Sequence, residues 1–306
     1  MALEARNFLI VTTGPTAVGK TELCIKIAQQ LGAEIISADS RQFYKELSIG
    51  TAKPSHEELM GIKHHFIDFL SIDQEFSAGK FELAVLELLP ELFKKNQIVI
   101  MTGGSGLYIQ AVCQGMNDIP DVDLKFRAEL YEELEIHGLQ PLLEELFIKD
   151  PDYYNLVDKE NPQRIIRALE VCRGTGEPYS VYRTDQKADR DFRTIKIGLN
   201  RAREELFGRI NIRMDQMIDD GLFTEAKRFE GMRHLNALKT VGYKEVFGYL
   251  DGEYDMKEAI RLLKRNTRRY AKRQLTWFKK DPGFVWFHPD EIDKIIKHIR
   301  ASIDHG

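Results

Sequence analysis

The 306-residue chain carries 44 Lys and Arg against 48 Asp and Glu, a net charge of −4, with 43% hydrophobic residues. This is ordinary composition for a globular protein with room for one large or two medium domains at roughly 150 residues each. Overall charge is excluded as a source of nucleic-acid affinity, so such a partner would need a local basic face. Cys24, Cys113 and Cys172 are too widely spaced for a disulfide framework or a Cys-rich zinc site. With no leader pattern and no apolar run near ~20 residues, a cytoplasmic protein without a membrane span is expected.

The first expected elements are strand 8–12, from the apolar run Phe8-Leu9-Ile10-Val11, and helix 20–31, with Leu23, Ile27 and Leu31 at helical spacing before Gly32. Between them lies Gly14-Pro15-Thr16-Ala17-Val18-Gly19-Lys20-Thr21. In that setting the segment reads as a phosphate-binding loop. Its glycines let backbone N–H groups converge on an anion, the helix adds its positive end, Lys20 a charge and Thr21 a hydroxyl for magnesium. A di- or triphosphate is implied, but not which bond breaks.

A second strand, 34–38, delivers Asp39-Ser40-Arg41-Gln42-Phe43-Tyr44. Ligands of open α/β sheets sit beyond the carboxyl ends of the strands, which puts Asp39 on the rim of the phosphate loop. Asp39 reads either as a turn or helix cap or as a chemical group, and the rim position favours chemistry. Next come Gly50-Thr51-Ala52-Lys53-Pro54 and His64-His65. Adjacent histidines point apart, so packing and hydrogen bonding are expected rather than a metal pair. For Lys53 a phosphate contact and a solvated loop position both stay open.

Helix 79–95 and strand 97–101 lead into Thr102-Gly103-Gly104-Ser105-Gly106-Leu107-Tyr108, a second glycine-rich strand-to-helix turn, suited to close ligand approach or to tight turning alone. From Pro120 to about Arg190 helical periodicity replaces the strand pattern, as expected of an insertion. Within it Asn161-Pro162 starts a helix and Gly174 is the expected stop. Arg164 and Arg167 lie on its first turns, where cations oppose the helix dipole unless an anion binds.

Strand 194–199 resumes the sheet, followed by helix 201–219 with Leu206, Ile210, Met214 and Met217 inward and Arg209 and Arg213 a turn apart. The turn Leu238 to Lys244 mixes aromatic, hydroxyl and cationic groups. A helix over 256–280 then carries ten Lys or Arg against one Glu in residues 257–280. Ile260, Leu263, Thr267, Tyr270, Gln274 and Trp277 form its expected docking seam, and Arg261, Arg265, Arg268 and Lys272 a basic stripe suited to nucleic-acid phosphates. Strand 284–287 is the last element expected.

Eight segments in order, GPTAVGKT, ADSRQFY, GTAKP, HHFID, TGGSGLY, NPQRIIRALEV, VGYKE and RRYAKRQLTWF, resemble the bacterial tRNA dimethylallyltransferases across essentially the whole chain. The resemblance implies an α/β fold with a P-loop NTPase-like parallel sheet core, 1–117 and 191–306, interrupted by a helical tRNA-binding insertion, 118–190. It implies transfer of a dimethylallyl group from its diphosphate to the exocyclic amine of the adenosine 3′ to the anticodon in tRNAs reading U-starting codons, with Mg2+ as the ion. The tRNA anticodon arm is the implied partner, and a monomer is expected.

By position, the resemblance makes Asp39 the general base, Thr21 the loop hydroxyl and Arg213, with Lys20, an aid to the diphosphate held by residues 14–21. It assigns tRNA contacts to Asp39, Ser40, Arg41 and Gln42; to Ser105 and Arg127; and to Gln163, Arg164, Ile165, Ile166 and Arg167. Further contacts fall on Lys239, Thr240, Val241, Gly242, Tyr243 and Lys244, and on Lys272, Arg273, Gln274 and Trp277. Trp277 and Tyr243 are candidates to stack on bases. Ser105 departs from the more frequent Thr but keeps the hydroxyl. The competing expectations are a small-molecule kinase using the loop for ATP, a prenyltransferase of free adenine nucleotides, and a nucleotide-gated RNA-binding protein. The basic helix argues against the first two and the site carboxylate against the third.

Overall fold

The computed structural model describes residues 7–184 and 188–305. The first six residues, on which part of the leader expectation bears, lie outside the described residues. The chain divides into two compact units, Met1–Gln114 with Asp189–Gly306, and Gly115–Ala188.

The larger unit is built on six strands: β1 Phe8–Thr13, β2 Ile35–Ser37, β3 His64–His65, β4 Ile98–Gly103, β5 Arg193–Leu199 and β6 Val285–Phe287. They form one all-parallel sheet in the order β3-β2-β4-β1-β5-β6. β1 is an interior strand buried along its whole length, which is why Phe8 to Val11 form a continuous apolar run without alternation, while Thr12 and Thr13 at its carboxyl end are buried too. Helices α1 Lys20–Leu31, α2 Ala78–Lys95 and α3 Gly106–Gln114 follow β1, β3 and β4. Two apolar layers result: Ile10, Ile25, Ile27 and Leu199 belong to one, and Leu9, Phe43, Phe81 and Met101 to the other.

The paired histidines form the short edge strand. His65 Nε2 lies 2.6 Å from a Glu34 oxygen, and His64 Nδ1 lies 2.9 Å from the Ile62 carbonyl, so hydrogen bonding accounts for both. Lys53 is not a solvated loop lysine: its buried amine donates to the Tyr44 carbonyl at 2.7 Å and pairs with Asp68, closing its own loop.

The smaller unit contains α4 Leu124–His137, α5 Gln140–Lys149, α6 Pro151–Leu156 and α7 Pro162–Thr175 around Leu130, Leu142, Leu146, Ile165 and Leu169. Arg173 joins three of these helices, donating to Glu133 at 2.8 Å and to Glu145 at 2.9 Å. Asn161 caps α7 by accepting from the Arg164 N–H at 3.3 Å, as expected. The stop is Gly176, with φ 81°, and not Gly174. Gly174 lies inside the helix, where its smallness serves packing: a Cβ there would come within 2.5 Å of Val122.

After β5 the larger unit adds α8 Arg203–Asp219, α9 Leu222–Lys227, α10 Tyr243–Leu250, α11 Met256–Phe278 and, after β6, α12 Ile292–Asp304. α12 was not anticipated, although Ile295, Ile296 and Ile299 bury a clear apolar face. The buried ridge of α11 is Ala259, Leu263, Thr267, Ala271, Gln274 and Phe278. The expected seam was rotated by about one residue, so Ile260 and Tyr270 are only partly covered and Trp277 is 38% exposed. Small Ala259 and Ala271 carry a weak apolar signal yet permit the closest approach.

Candidate active site

The loop after β1 uses glycine where the backbone demands it. A Cβ on Gly14 would fall 2.6 Å from the Leu199 carbonyl, and Gly19, at φ 106°, begins α1 in the left-handed region. Ala17 adopts φ 63° without that freedom, a strained position of the kind found at ligand sites. The strain is held by cations from outside the loop. Arg201 Nε donates to the Val18 carbonyl and Arg209 Nε to the Ala17 carbonyl, both at 2.9 Å, while Arg213 Nη1 donates to Thr16 Oγ1 at 3.2 Å.

Lys20 Nζ donates to the carbonyls of Gly14 and Pro15, each at 2.9 Å. Burial lowers its pKa to about 8, while the Asp39 carboxylate opposes the shift and Arg213 adds to it. Arg213 is likewise pushed down by burial and pulled back by Asp39. Asp39 therefore sits in the field of both cations, and its Oδ1 accepts the Arg41 N–H at 3.1 Å. It serves as a turn cap and faces Lys20 and Arg213 at the same time, so capping does not remove it from the rim of the phosphate loop.

These groups line one open cavity of about 1280 Å³ whose walls include Thr16, Lys20, Thr21, Asp39, Arg213 and Tyr270. Sites for one small ligand span roughly 300–1,000 Å³, so there is space for a diphosphate and for part of a second substrate. Tyr270 contributes a phenol held neutral, its pKa pushed up to about 12 by burial and by Asp39.

The second glycine turn is filled by protein. A Cβ would meet the Ala38 carbonyl at 2.2 Å from Gly103, Gln274 Nε2 at 2.3 Å from Gly104 and Trp277 Nε1 at 2.2 Å from Gly106. Gln274 spans two loops: its Oε1 accepts the Thr16 N–H at 2.8 Å and its Nε2 donates to the Gly104 carbonyl at 3.1 Å. Ser105 fastens the strip after β2, its Oγ accepting the Ser40 N–H and donating to Ser40 Oγ, both at 3.0 Å.

Residues 42–281 match the description "IPP transferase". The chain is 51% identical over 297 residues to tRNA dimethylallyltransferase 2 of Parabacteroides distasonis, covering 97% of this chain and 99% of that protein. The chain belongs to the IPP transferase family. A tRNA dimethylallyltransferase of Cytophaga hutchinsonii is 50% identical over 297 residues, 97% of this chain and 98% of its own. Among solved structures, the tRNA isopentenylpyrophosphate transferase of Bacillus halodurans has a TM-score of 0.72 at 37% identity, covering 98% of this chain and 97% of that one. A eukaryotic dimethylallyltransferase acting on tRNA has a TM-score of 0.75 at 28% identity, covering 89% and 69%. These likenesses carry the P-loop NTPase-like fold that the family resemblance implied.

Within this IPP transferase, Asp39, Arg41, Gln42, Thr240, Val241, Gly242 and Gln274 line the same cavity as the phosphate loop. Arg41 Nη1 donates to the Asn236 carbonyl at 2.8 Å, tying the strip to the turn before α10. Lys239, Lys244, Lys272 and Arg273 are exposed cations. In the smaller unit Gln163 and Arg164 are exposed. Three expectations need correction. Tyr243 cannot stack on a base, because it is fully buried and its hydroxyl donates to Glu225 at 2.6 Å. The side chains of Ile165 and Ile166 are buried in the helical core and offer no RNA contact. Gln274 commits one bond from each amide end to protein, which makes it a strut between loops at the cavity wall and not a freely presented contact.

Sequence reasoning missed Glu225. Its carboxylate accepts N–H bonds from Ser48 at 3.1 Å, Ile49 at 2.9 Å and Gly50 at 2.8 Å, besides the Tyr243 hydroxyl. It thus anchors a loop that lines the cavity. Gly50 belongs to the same device, since a Cβ there would stand 2.4 Å from the Tyr243 ring. No local pattern marks a Glu in a short amphipathic helix for this task.

Proposed function

We propose that this protein transfers the dimethylallyl group of dimethylallyl diphosphate to the exocyclic amine of the adenosine 3′ to the anticodon in tRNAs reading U-starting codons. The observation that carries the reading is the shared cavity, in which a phosphate loop with two added cations faces a carboxylate across space for a second substrate. Membership of the IPP transferase family supports the choice of reaction.

In the proposed step the amine nitrogen attacks C1 of the dimethylallyl group, the C1–oxygen bond breaks, and diphosphate departs. The amine proton passes to the Asp39 carboxylate. Lys20, Arg213 and the loop N–H groups hold the charge that grows on the leaving oxygens. An adenine must leave its stack to enter, so the base is turned out and received between the strip 39–42 and Tyr270. Magnesium fits this loop: Thr21 would supply a hydroxyl oxygen, and magnesium characteristically takes few protein ligands beside substrate phosphates. When bound it would neutralise diphosphate charge. Exposed cations on α11, Lys272 and Arg273 among them, suit an RNA backbone, and the anticodon arm is the proposed partner. A monomer working in the cytoplasm is part of the proposal.

The test is incubation with labelled dimethylallyl diphosphate and bulk tRNA, followed by nucleoside digestion. Label on an adenosine next to anticodons reading U-starting codons is expected. Label only on free adenine nucleotides, or phosphoryl transfer from labelled ATP in its place, overturns the reading.

A further inference from the structure

Residues 115–188 contain nine Lys or Arg against sixteen Asp or Glu. A segment so acidic repels RNA over most of its surface, and it can hold a phosphate only where its few cations are gathered and fixed. Among the described residues, Glu170 marks such a place. Glu170 of α7 is buried, with 2% of its side chain exposed, and it lies 3.0 Å from Arg127 Nε of α4 and 3.2 Å from Arg167 Nη1. Both arginines are half-buried, each with 36% of the side chain exposed.

This arrangement inverts the neighbouring one at Arg173, where a single largely buried cation is taken by two carboxylates. That group already ties α4, α5 and α7 together and carries an excess of negative charge. At Glu170 one carboxylate serves two cations, and the excess is positive. Each guanidinium has five N–H donors in a rigid fork, far more than one shared carboxylate consumes. Arg167 lies on the second turn of α7, three residues before Glu170, so helix geometry alone brings it to the carboxylate.

We infer that Glu170 is a positioning residue: its buried carboxylate sets Arg127 and Arg167 as a paired clamp for one RNA phosphate, the fixed anchor of an otherwise acidic unit. The inference rests on the proposal that this protein acts on tRNA. It adds that affinity there depends on a negative charge that never touches the RNA. A preformed pair of forks binds phosphate without ordering two long side chains at the moment of contact.

The experiment is Glu170→Gln, assayed by tRNA binding as a function of salt beside thermal melting. Removing a negative charge from an acidic unit strengthens RNA binding if net charge governs. Loss of positioning weakens it, by about tenfold, the equivalent of one charge-assisted hydrogen bond. The salt slope should also fall by roughly 0.7–0.9, one phosphate contact. In steady state the loss should appear in KM for tRNA, with KM for the diphosphate unmoved. Arg127→Lys, which keeps the charge but not the fork, should show the same loss without a change in melting, and it decides the matter if Glu170→Gln fails to fold. Unchanged or tighter tRNA binding by folded Glu170→Gln, or unchanged binding by Arg127→Lys, overturns the inference. Failure of the wild-type protein to bind tRNA at all overturns the proposed function instead.

Discussion

Lys20 sets an alkaline limit on the affinity for diphosphate. Its ammonium is lowered to about 8, chiefly by burial, and Arg213 deepens the shift while Asp39 limits it. A lysine with that pKa is charged in roughly nine molecules of ten at pH 7 and in about one of ten at pH 9, whereas an unperturbed lysine is charged at both. The charged form is the one that binds an anion. Affinity for dimethylallyl diphosphate, measured by calorimetry without tRNA, should thus fall about tenfold per pH unit above 8. Because the bound anion favours the ammonium, kcat at saturation should hold to higher pH than kcat/KM. Asp39→Asn removes the charge that raises this pKa, so its limb should begin below that of the wild type. Lys20→Ala should abolish the limb and bind weakly at every pH. The reasoning is refuted by a wild-type limb near 10.5, the ordinary lysine value, or by a limb that stays in place in Asp39→Asn.

Asp39→Asn should also lower turnover by ~10²–10⁴ while the magnesium requirement stays near wild type, as for a lost base. Recovery of activity at high magnesium, in a metal titration, would instead make the residue an ion ligand. Gly104→Ala drives a Cβ to 2.3 Å from Gln274 Nε2, so the glutamine must let go of Thr16 and KM for the diphosphate should rise without loss of tRNA affinity, as a filter-binding comparison would register. Charge reversal of exposed Lys272 and Arg273 should act oppositely, weakening tRNA binding steeply at low salt and leaving diphosphate titrations unmoved. Tyr243→Phe leaves Glu225 short of a buried donor and should cost about 1–3 kcal/mol in denaturant melts; an unchanged midpoint would remove Glu225 as the anchor of residues 48–50.

Much of this protein is written locally. The phosphate loop, the strand before it and the helix after it depend on glycines, a continuous apolar run and a 3.6-residue period, all short-range. The same holds for the Asn161 cap of α7 and for the basic excess on α11. Tertiary structure alone decided which face of α11 is buried, because Ala259 and Ala271 are chosen for closeness of approach and add almost nothing to an apolar pattern. It decided that the glycines of the second turn admit Ala38, Gln274 and Trp277, partners remote in the chain. It also decided that Tyr243 is core, since a tyrosine reads alike exposed or buried until its hydroxyl finds Glu225. Glu225 and Glu170 stand furthest from what sequence shows. A carboxylate acquires either task only when folding removes it from water and brings up donors that are not all local, and one residue's identity carries no trace of Arg127, 43 positions from Glu170, or of Ser48, 177 positions from Glu225.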